Sequence, residues 1–277
     1  MSAGTLYIVA TPIGNLEDLT LRALRVLREV DLIAAEDTRH SRKLLTYFGI
    51  SKPLTSYFDH NKNMKGARIL AKLSEGLSVA LISDAGTPCI SDPGYRLVRD
   101  AVASGIKVVP VPGPCAAVAA LSVSGLPADS FAFEGFLPSR PGKRRERLAK
   151  LKGEARVLVF HEAPTRLAAS LADVLEIFGD REMVLARELT KVYEEFLRGR
   201  VSEVIGMIEG RAVKGEFVLM IAPEPADAAR EPDLVPTLLE RYLEGEGLSV
   251  KDAVRRVSDE TGEARSRVYQ EALKLRN

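Results

Sequence analysis

The chain has little of what marks several common protein classes. Its two cysteines, Cys89 and Cys115, stand apart in glycine- and proline-bearing segments with no C-x-x-C, and the histidines at 40, 60 and 161 are too scattered for metal-ligand spacing. A disulfide framework and a zinc site are therefore not expected, and no metal is assigned. No apolar run nears the roughly 20 residues of a membrane span, and the N-terminus lacks the basic and apolar regions of a signal peptide. These absences lead to the expectation of a cytoplasmic protein with no membrane partner. A charge excess is missing too: 39 Lys+Arg face 38 Asp+Glu, so a polyanion would have to be held by a local patch rather than by the overall field. G-x-G-x-x-G, G-x-x-x-x-G-K-[ST] and G-x-S-x-G do not occur, which argues against a nicotinamide enzyme, a P-loop NTPase and a serine hydrolase.

What is present is alternation. The 277 residues, 46% of them hydrophobic, suffice for two modest cores. Leu6 to Ala10, Leu32 to Ala35, Leu54 to Tyr57, Val79 to Ser83 and Val108 to Val111 read as short strands. Helical spacing follows Leu19, then runs over Ser41 to Phe48, Ala67 to Leu73, Tyr95 to Ala103 and Cys115 to Ser124. Such a chain predicts an α/β fold whose parallel or mostly parallel sheet carries helices on both faces. A second alternating set starts at Phe131, with strands at Val157 to Phe160, Met183 to Ala186 and Phe217 to Ala222, a helix from Thr165 to Phe178, and Glu194 to Arg200 as a further strand. Pro223 to Pro232 is a linker by composition, and three amphipathic patterns after it suit a small module of helix-turn-helix type. The expected domains are 1–128 and 129–222, both α/β, a linker at 223–232 and a helical module at 233–277.

The chemistry concentrates where strands end. Leu81 to Gly94 carries an apolar strand straight into a loop of Gly, Pro, Ser, Thr and two Asp, and ligands of open α/β sheets bind at such ends. Pro112-Gly-Pro114 follows the next strand in the same way. Glu36-Asp-Thr-Arg-His40 ends the second strand. It reads either as a helix start with Thr38 as cap or as a polar group that positions a hydroxyl and removes its proton. Phe58-Asp-His-Asn61 adds a second polar cluster. The basic run Arg140, Lys143, Arg144, Arg145, Arg147, Lys150, Lys152 and Arg156 reads as a solvated helix face or as a phosphate-binding surface at the cleft mouth.

Seven segments in order, Ala10-Thr-Pro-Ile-Gly-Asn15, Glu36-Asp-Thr-Arg39, Ser83-Asp-Ala-Gly-Thr-Pro88, Ser91-Asp-Pro-Gly94, Val111-Pro-Gly-Pro114, Gly135-Phe-Leu-Pro138 and Lys214-Gly-Glu-Phe217, resemble the tetrapyrrole methylase superfamily. The likeness is to its branch that methylates small-subunit ribosomal RNA, and it spans nearly the whole chain, helical tail included. It implies S-adenosylmethionine as methyl donor and the 2′-hydroxyl of a cytidine in the decoding region of 16S rRNA as acceptor. It also implies a homodimer of two-domain protomers with the cofactor in the cleft between domains. Carried over, the cofactor would meet Pro12, Asp84, Ala85, Gly86, Thr87, Ile90, Pro112, Gly113, Cys115 and Ala116 from the first domain. Phe160, Glu162, Arg187, Glu188, Gly215 and Glu216 would meet it from the second. Cys115 stands where a hydroxyl residue is commoner. For the acceptor, Asp37 or Glu36 is the expected base or orienter, Arg39 and His60 hold the nucleotide, and Arg140, Lys143, Arg144 and Arg145 bind RNA. The alternatives are a methyltransferase of the same superfamily acting on a tetrapyrrole or other small molecule, and a non-catalytic RNA-binding assembly factor.

Overall fold

Short strands of three to five residues, most of them apolar, build the first sheet: β1 (Thr5–Val9), β2 (Leu32–Ala35), β3 (Leu54–Ser56), β4 (Val79–Ile82) and β5 (Lys107–Val111). The computed structural model describes residues 3–58, 62–211, 214–224 and 234–275. Within it the sheet runs β3-β2-β4-β1-β5 with every pairing parallel. The helices between these strands are α1 (Leu21–Glu29), α2 (Thr38–Tyr47), α3 (Lys62–Ser74) and α4 (Tyr95–Ala103). α1 forms because Ala23, Val26 and Leu27 recur on one face and the Thr20 hydroxyl accepts the Ala23 N–H at 3.1 Å. α1 and α2 bury Val26, Leu27 and Leu45 on one face of the sheet, and α3 and α4 bury Ile69, Leu73, Leu97 and Ala101 on the other. β4 is buried at every position, as a central strand covered on both faces must be. Because all five strands point one way, the loops leaving their C-terminal ends gather along one edge.

The second sheet holds the strands predicted but is mixed rather than parallel. It comprises β6 (Phe131–Phe136), β7 (Val157–Glu162), β8 (Glu182–Arg187), β9 (Glu195–Arg200) and β10 (Phe217–Ile221), in the order β6-β7-β10-β8-β9. β6 and β7 are parallel, whereas β7–β10, β10–β8 and β8–β9 are antiparallel. The connection from β8 to β9 is too short for a helical crossover, so these strands can only turn back on one another. α5 (Ala116–Ser122) covers one face through Ala117, Ala120 and Leu121. α6 (Pro141–Leu151), α7 (Leu167–Phe178) and α8 (Val201–Ile208) cover the other over a core that includes Phe160, Leu171, Leu185 and Leu219.

By contact density the chain divides into Met1–Pro223, which holds both sheets, and Glu224–Asn277. The second unit contains α9 (Leu234–Glu240), a π-helical turn at Arg241–Gly245, α10 (Val250–Thr261) and α11 (Arg265–Lys274). Ser249 caps α10 and Gly262 ends it with φ 73°. Val235, Leu239, Val254, Val257 and Val268 close a core of its own. Among the described residues no helix is long and apolar enough to cross a membrane.

Candidate active site

Hydrogen bonds sew the loops of the first sheet's C-terminal edge into one surface. Thr11 and Gly86 exchange backbone hydrogen bonds, each N–H donating to the other's carbonyl at 2.9 and 3.0 Å, so the turns after β1 and β4 form a small bridge. The Thr11 hydroxyl donates to the Ser83 carbonyl at 3.2 Å and the Thr87 hydroxyl to the Pro114 carbonyl at 3.0 Å. The Asp37 N–H donates to the Asp84 carboxylate at 3.0 Å, which ties in the turn after β2. The chain between these anchors is forced into unusual geometry: Cys89 and Ser91 take φ of 72° and 63°. At Gly94, φ 151°, a Cβ would collide with the Cys89 sulfur, so only glycine fits.

The second sheet supplies the facing wall, and a β-bulge aims it. The β6–β7 register shifts between Phe133 and Gly135, where Gly135 takes φ 66°. The extra residue puts Phe133 and Phe136, which strict alternation would send to opposite faces, on the same side. Both pack edge-on against His161, with centroids 5.0 and 5.5 Å away. The His161 Nε2 is buried without a hydrogen-bond partner, and burial pushes the imidazole pKa down against an opposing pull from Glu216. Glu162, also buried, accepts from Ala163 N at 2.8 Å, the Ser170 hydroxyl at 2.6 Å and the Arg166 guanidinium at 2.8 Å. Glu188 accepts the Glu216 N–H at 3.0 Å and, with Glu216, holds the Lys191 ammonium at 2.9 and 3.0 Å.

Between these walls lies a cleft of about 440 Å³. Of the residues predicted to meet a cofactor, Asp84, Ala85, Gly86, Thr87, Ile90, Cys115, Ala116, Glu162, Gly215 and Glu216 line it, joined by Glu36 from the predicted acceptor group. Others do not. Phe160 is fully buried in the helix-side core, because alternation along β7 turns it away while Val159 and His161 face the cleft side. Pro112 and Gly113 are exposed outside the cleft, Gly113 backed closely by Ala10. Pro12 lines a neighbouring groove. Arg187 is turned toward the Lys214 carbonyl and Glu195, and Glu188 supports the cleft from behind through Glu216. Sequence reasoning missed Phe133 and Phe136; Asp92 lies inside the Leu81 to Gly94 loop and His161 between the expected Phe160 and Glu162, though neither was given a role of its own. Asp92 is pushed up by burial, opposed by a Ser83 hydrogen bond and reinforced by the neighbouring charge of Asp84.

The predicted acceptor group resolves into distinct roles. The cap of α2 is Asp37, not Thr38: its carboxylate accepts Arg39 N at 2.8 Å, Nε at 3.2 Å and Nη2 at 2.9 Å. These hydrogen bonds from the Arg39 side chain and backbone hold it at a pKa of about 2. A carboxylate that acidic is a poor proton acceptor, which leaves Glu36 as the cleft-lining acid of this turn. His60 lies outside the described residues. Arg144, expected on an RNA-binding face, is instead 4% exposed, its Nε 2.6 Å from Asp173, because it occupies an inward position of α6 together with Leu148 and Leu151. Arg145 is half-exposed and bridges Asp173 and Glu176, while Arg140 and Lys143 are exposed.

Two sheets meeting at a loop-lined cleft, with an all-parallel sheet on one side and a mixed sheet on the other, define a fold class. The model of the Tetrapyrrole (Corrin/Porphyrin) Methylases matches residues 5–205, so the chain belongs to that family. Solved relatives agree. Uroporphyrin-III-C-methyltransferase from Thermus thermophilus superposes with a TM-score of 0.55 at 25% identity over 79% of this chain and 94% of that one. A cobalt precorrin-4 methyltransferase gives 0.59 at 15% identity over 79% and 94%, a likeness of fold alone. Within the family the chain falls among the ribosomal RNA small subunit methyltransferases I. It is 49% identical to the protein of that name from Pseudomonas aeruginosa over 99% of this chain and 98% of that one, and 48% identical to the one from Escherichia coli O157:H7 over 98% and 96%. Residues 228–276 match the RsmI C-terminal HTH domain, in keeping with the helix-turn-helix module predicted for the tail.

Proposed function

We propose that the protein transfers a methyl group from S-adenosylmethionine to the ribose 2′-oxygen of a cytidine in the decoding region of 16S rRNA, acting on the small ribosomal subunit as a cytoplasmic homodimer. The observation that carries the reading is the composition of the cleft. Glu36, Asp84 and Asp92 set carboxylates around a space otherwise walled by Ile13, Ile90, Phe133, Phe136 and Phe217, while those of Glu162 and Glu216 are held by Arg166 and Lys191. That set fits a ligand with a sulfonium, an ammonium and a flat heterocycle. The orphaned His161 Nε2 between two phenylalanines gives the heterocycle a polar partner. The names borne by the relatives support RNA of the small subunit as acceptor.

When bound, the cofactor supplies an electrophilic methyl group. The protein's share is alignment and the exclusion of water. Asp84, fixed by the Asp37 N–H, and Asp92 favour positive charge on the first-sheet side. Glu36 accepts a hydrogen bond from the ribose hydroxyl and takes its proton onto a carboxylate oxygen, while Asp37 and Arg39 hold the turn that carries it. The test is mass-spectrometric mapping of ribose methyl groups on small subunits incubated with protein and S-adenosylmethionine, with Asp84→Asn as control. We expect one methylated cytidine ribose in the decoding region, lost in the control. Methylation of an added tetrapyrrole instead, or of no ribose, would overturn the reading.

A further inference from the structure

A second depression opens beside the cleft. A groove of about 470 Å³ runs between the turn after β1 and helix α2, and it shares Ile13, Asp84, Ala85 and Glu216 with the cleft. On its outer side it shares Lys43 and Tyr47 with an open hollow bounded by Arg39, Arg42 and Thr46. The three spaces therefore adjoin one another along a line from solvent, over α2, to Asp84, and together make a trough.

The trough has the chemistry of a nucleic-acid path. From Thr38 to Tyr47 the helix carries Arg39, His40, Arg42 and Lys43 and no acid. Arg39 is committed to Asp37, but among the described residues Arg42 and Lys43 make no ion pair, and both are exposed. Tyr47, beside them, is 66% exposed, a flat ring with no core to fill. Exposed cations interleaved with an exposed aromatic ring are what a single strand needs, phosphates pairing with the first and a base stacking on the second. An independent sign comes from the groove wall. Ser41 is 2% exposed, lines the groove, and leaves its hydroxyl without a hydrogen-bond partner. Buried hydroxyls are ordinarily satisfied, so one unpaired at a groove wall marks a place for a ligand's polar atom.

We propose that this trough is the acceptor channel: single-stranded RNA lies over α2, with Arg42 and Lys43 on its phosphates and Tyr47 under a base next to the target, and Ser41 meets the nucleotide that enters toward Asp84. The identity of the polyanion rests on the function proposed above; the path rests on α2. α6, whose Arg144 is internal, is not this surface.

The test compares Arg42→Glu with Lys43→Glu against Arg68→Glu with Lys72→Glu, an equal charge change on exposed positions of α3 across the sheet. Binding to small subunits is measured over a range of salt, with S-adenosylmethionine affinity by calorimetry and mass by sedimentation. The α2 pair should lower RNA affinity at least about tenfold and flatten the log–log salt slope by about two, with cofactor affinity held within about twofold. Tyr47→Ala should lower RNA affinity about fivefold at an unchanged salt slope. Equal effects from the α2 and α3 pairs, a parental slope, or a change only in subunit association, as for a face that binds a second copy, would overturn the channel. If the parent binds subunits but methylates no ribose, the proposed function falls while the channel is still judged on binding alone.

Discussion

At the scale of single residues, His161 has the clearest consequence. Its imidazole is buried between Phe133 and Phe136, and burial depresses its pKa below the ordinary 6.5. The unfolded chain therefore takes up this proton at a higher pH than the folded one. The contribution to stability is whole above about pH 6.5 and is lost as pH falls through the lower folded value. Denaturant unfolding of His161→Phe and of the parent at pH 7.5 and pH 5 should show a smaller acid loss in the variant. Parallel losses would mean that the ring protonates as freely in the fold as in water. The same residue shows why the site was only partly legible. Asp84, Gly86 and Thr87 stood out because Gly, Pro and Asp after an apolar strand have few other uses. His161 lies between Phe160 and Glu162, both expected at the cleft, but only the parity of Val157, Val159 and His161 against Leu158 and Phe160 tells which of them turns toward it. The aromatic partners depend on a bulge at Gly135, whose register shift no local pattern announces.

At the scale of elements, the first sheet was readable because each strand is followed by a helix of its own, and parallel pairing needs such crossovers. The second was not, because the placement of β10 between β7 and β8 is decided by long-range pairing that periodicity does not encode. α6 shows the limit of charge counting. Eight cations in sequence suggested a solvent face, yet helical spacing turns Arg144 inward with Leu148 and Leu151, where it meets Asp173. Burial raises the Asp173 pKa, but hydrogen bonds from Arg145 and Arg144 overcome this and leave it below its ordinary value. Removing Arg144 would leave the buried Asp173 carboxylate only its contact with the half-exposed Arg145, a loss of roughly 3 kcal/mol, the low end for a broken buried pair. Arg144→Ala should thus lower the denaturation midpoint strongly, and Arg144→Met combined with Asp173→Leu should recover most of it. A fully stable Arg144→Ala protein would return this arginine to the surface, where an RNA contact is possible.

At the scale of the whole molecule, the division at Pro223 bears on which part does the chemistry. Cleft, groove and both sheets belong to Met1–Pro223, and every residue named for cofactor or acceptor lies there. The tail closes its own small core, in which Tyr242 donates a hydrogen bond to Glu260 at 2.8 Å. So short a module buries little apolar surface and should be only marginally stable by itself. Independent units add their unfolding transitions rather than share one. A chain ending at Pro223 should therefore bind S-adenosylmethionine within about twofold of the full chain and keep the main calorimetric transition, while losing a weaker one that belongs to the tail. Its cations Lys251, Arg255, Arg256, Arg265 and Arg267 stand against Asp252, Asp259, Glu260 and Glu263, and several are already paired, as Arg256 is with Glu246 at 3.0 Å. A shortened chain that lost cofactor affinity along with its main transition would show that the two units fold as one, and the catalytic machinery could then no longer be assigned to the two-sheet unit alone.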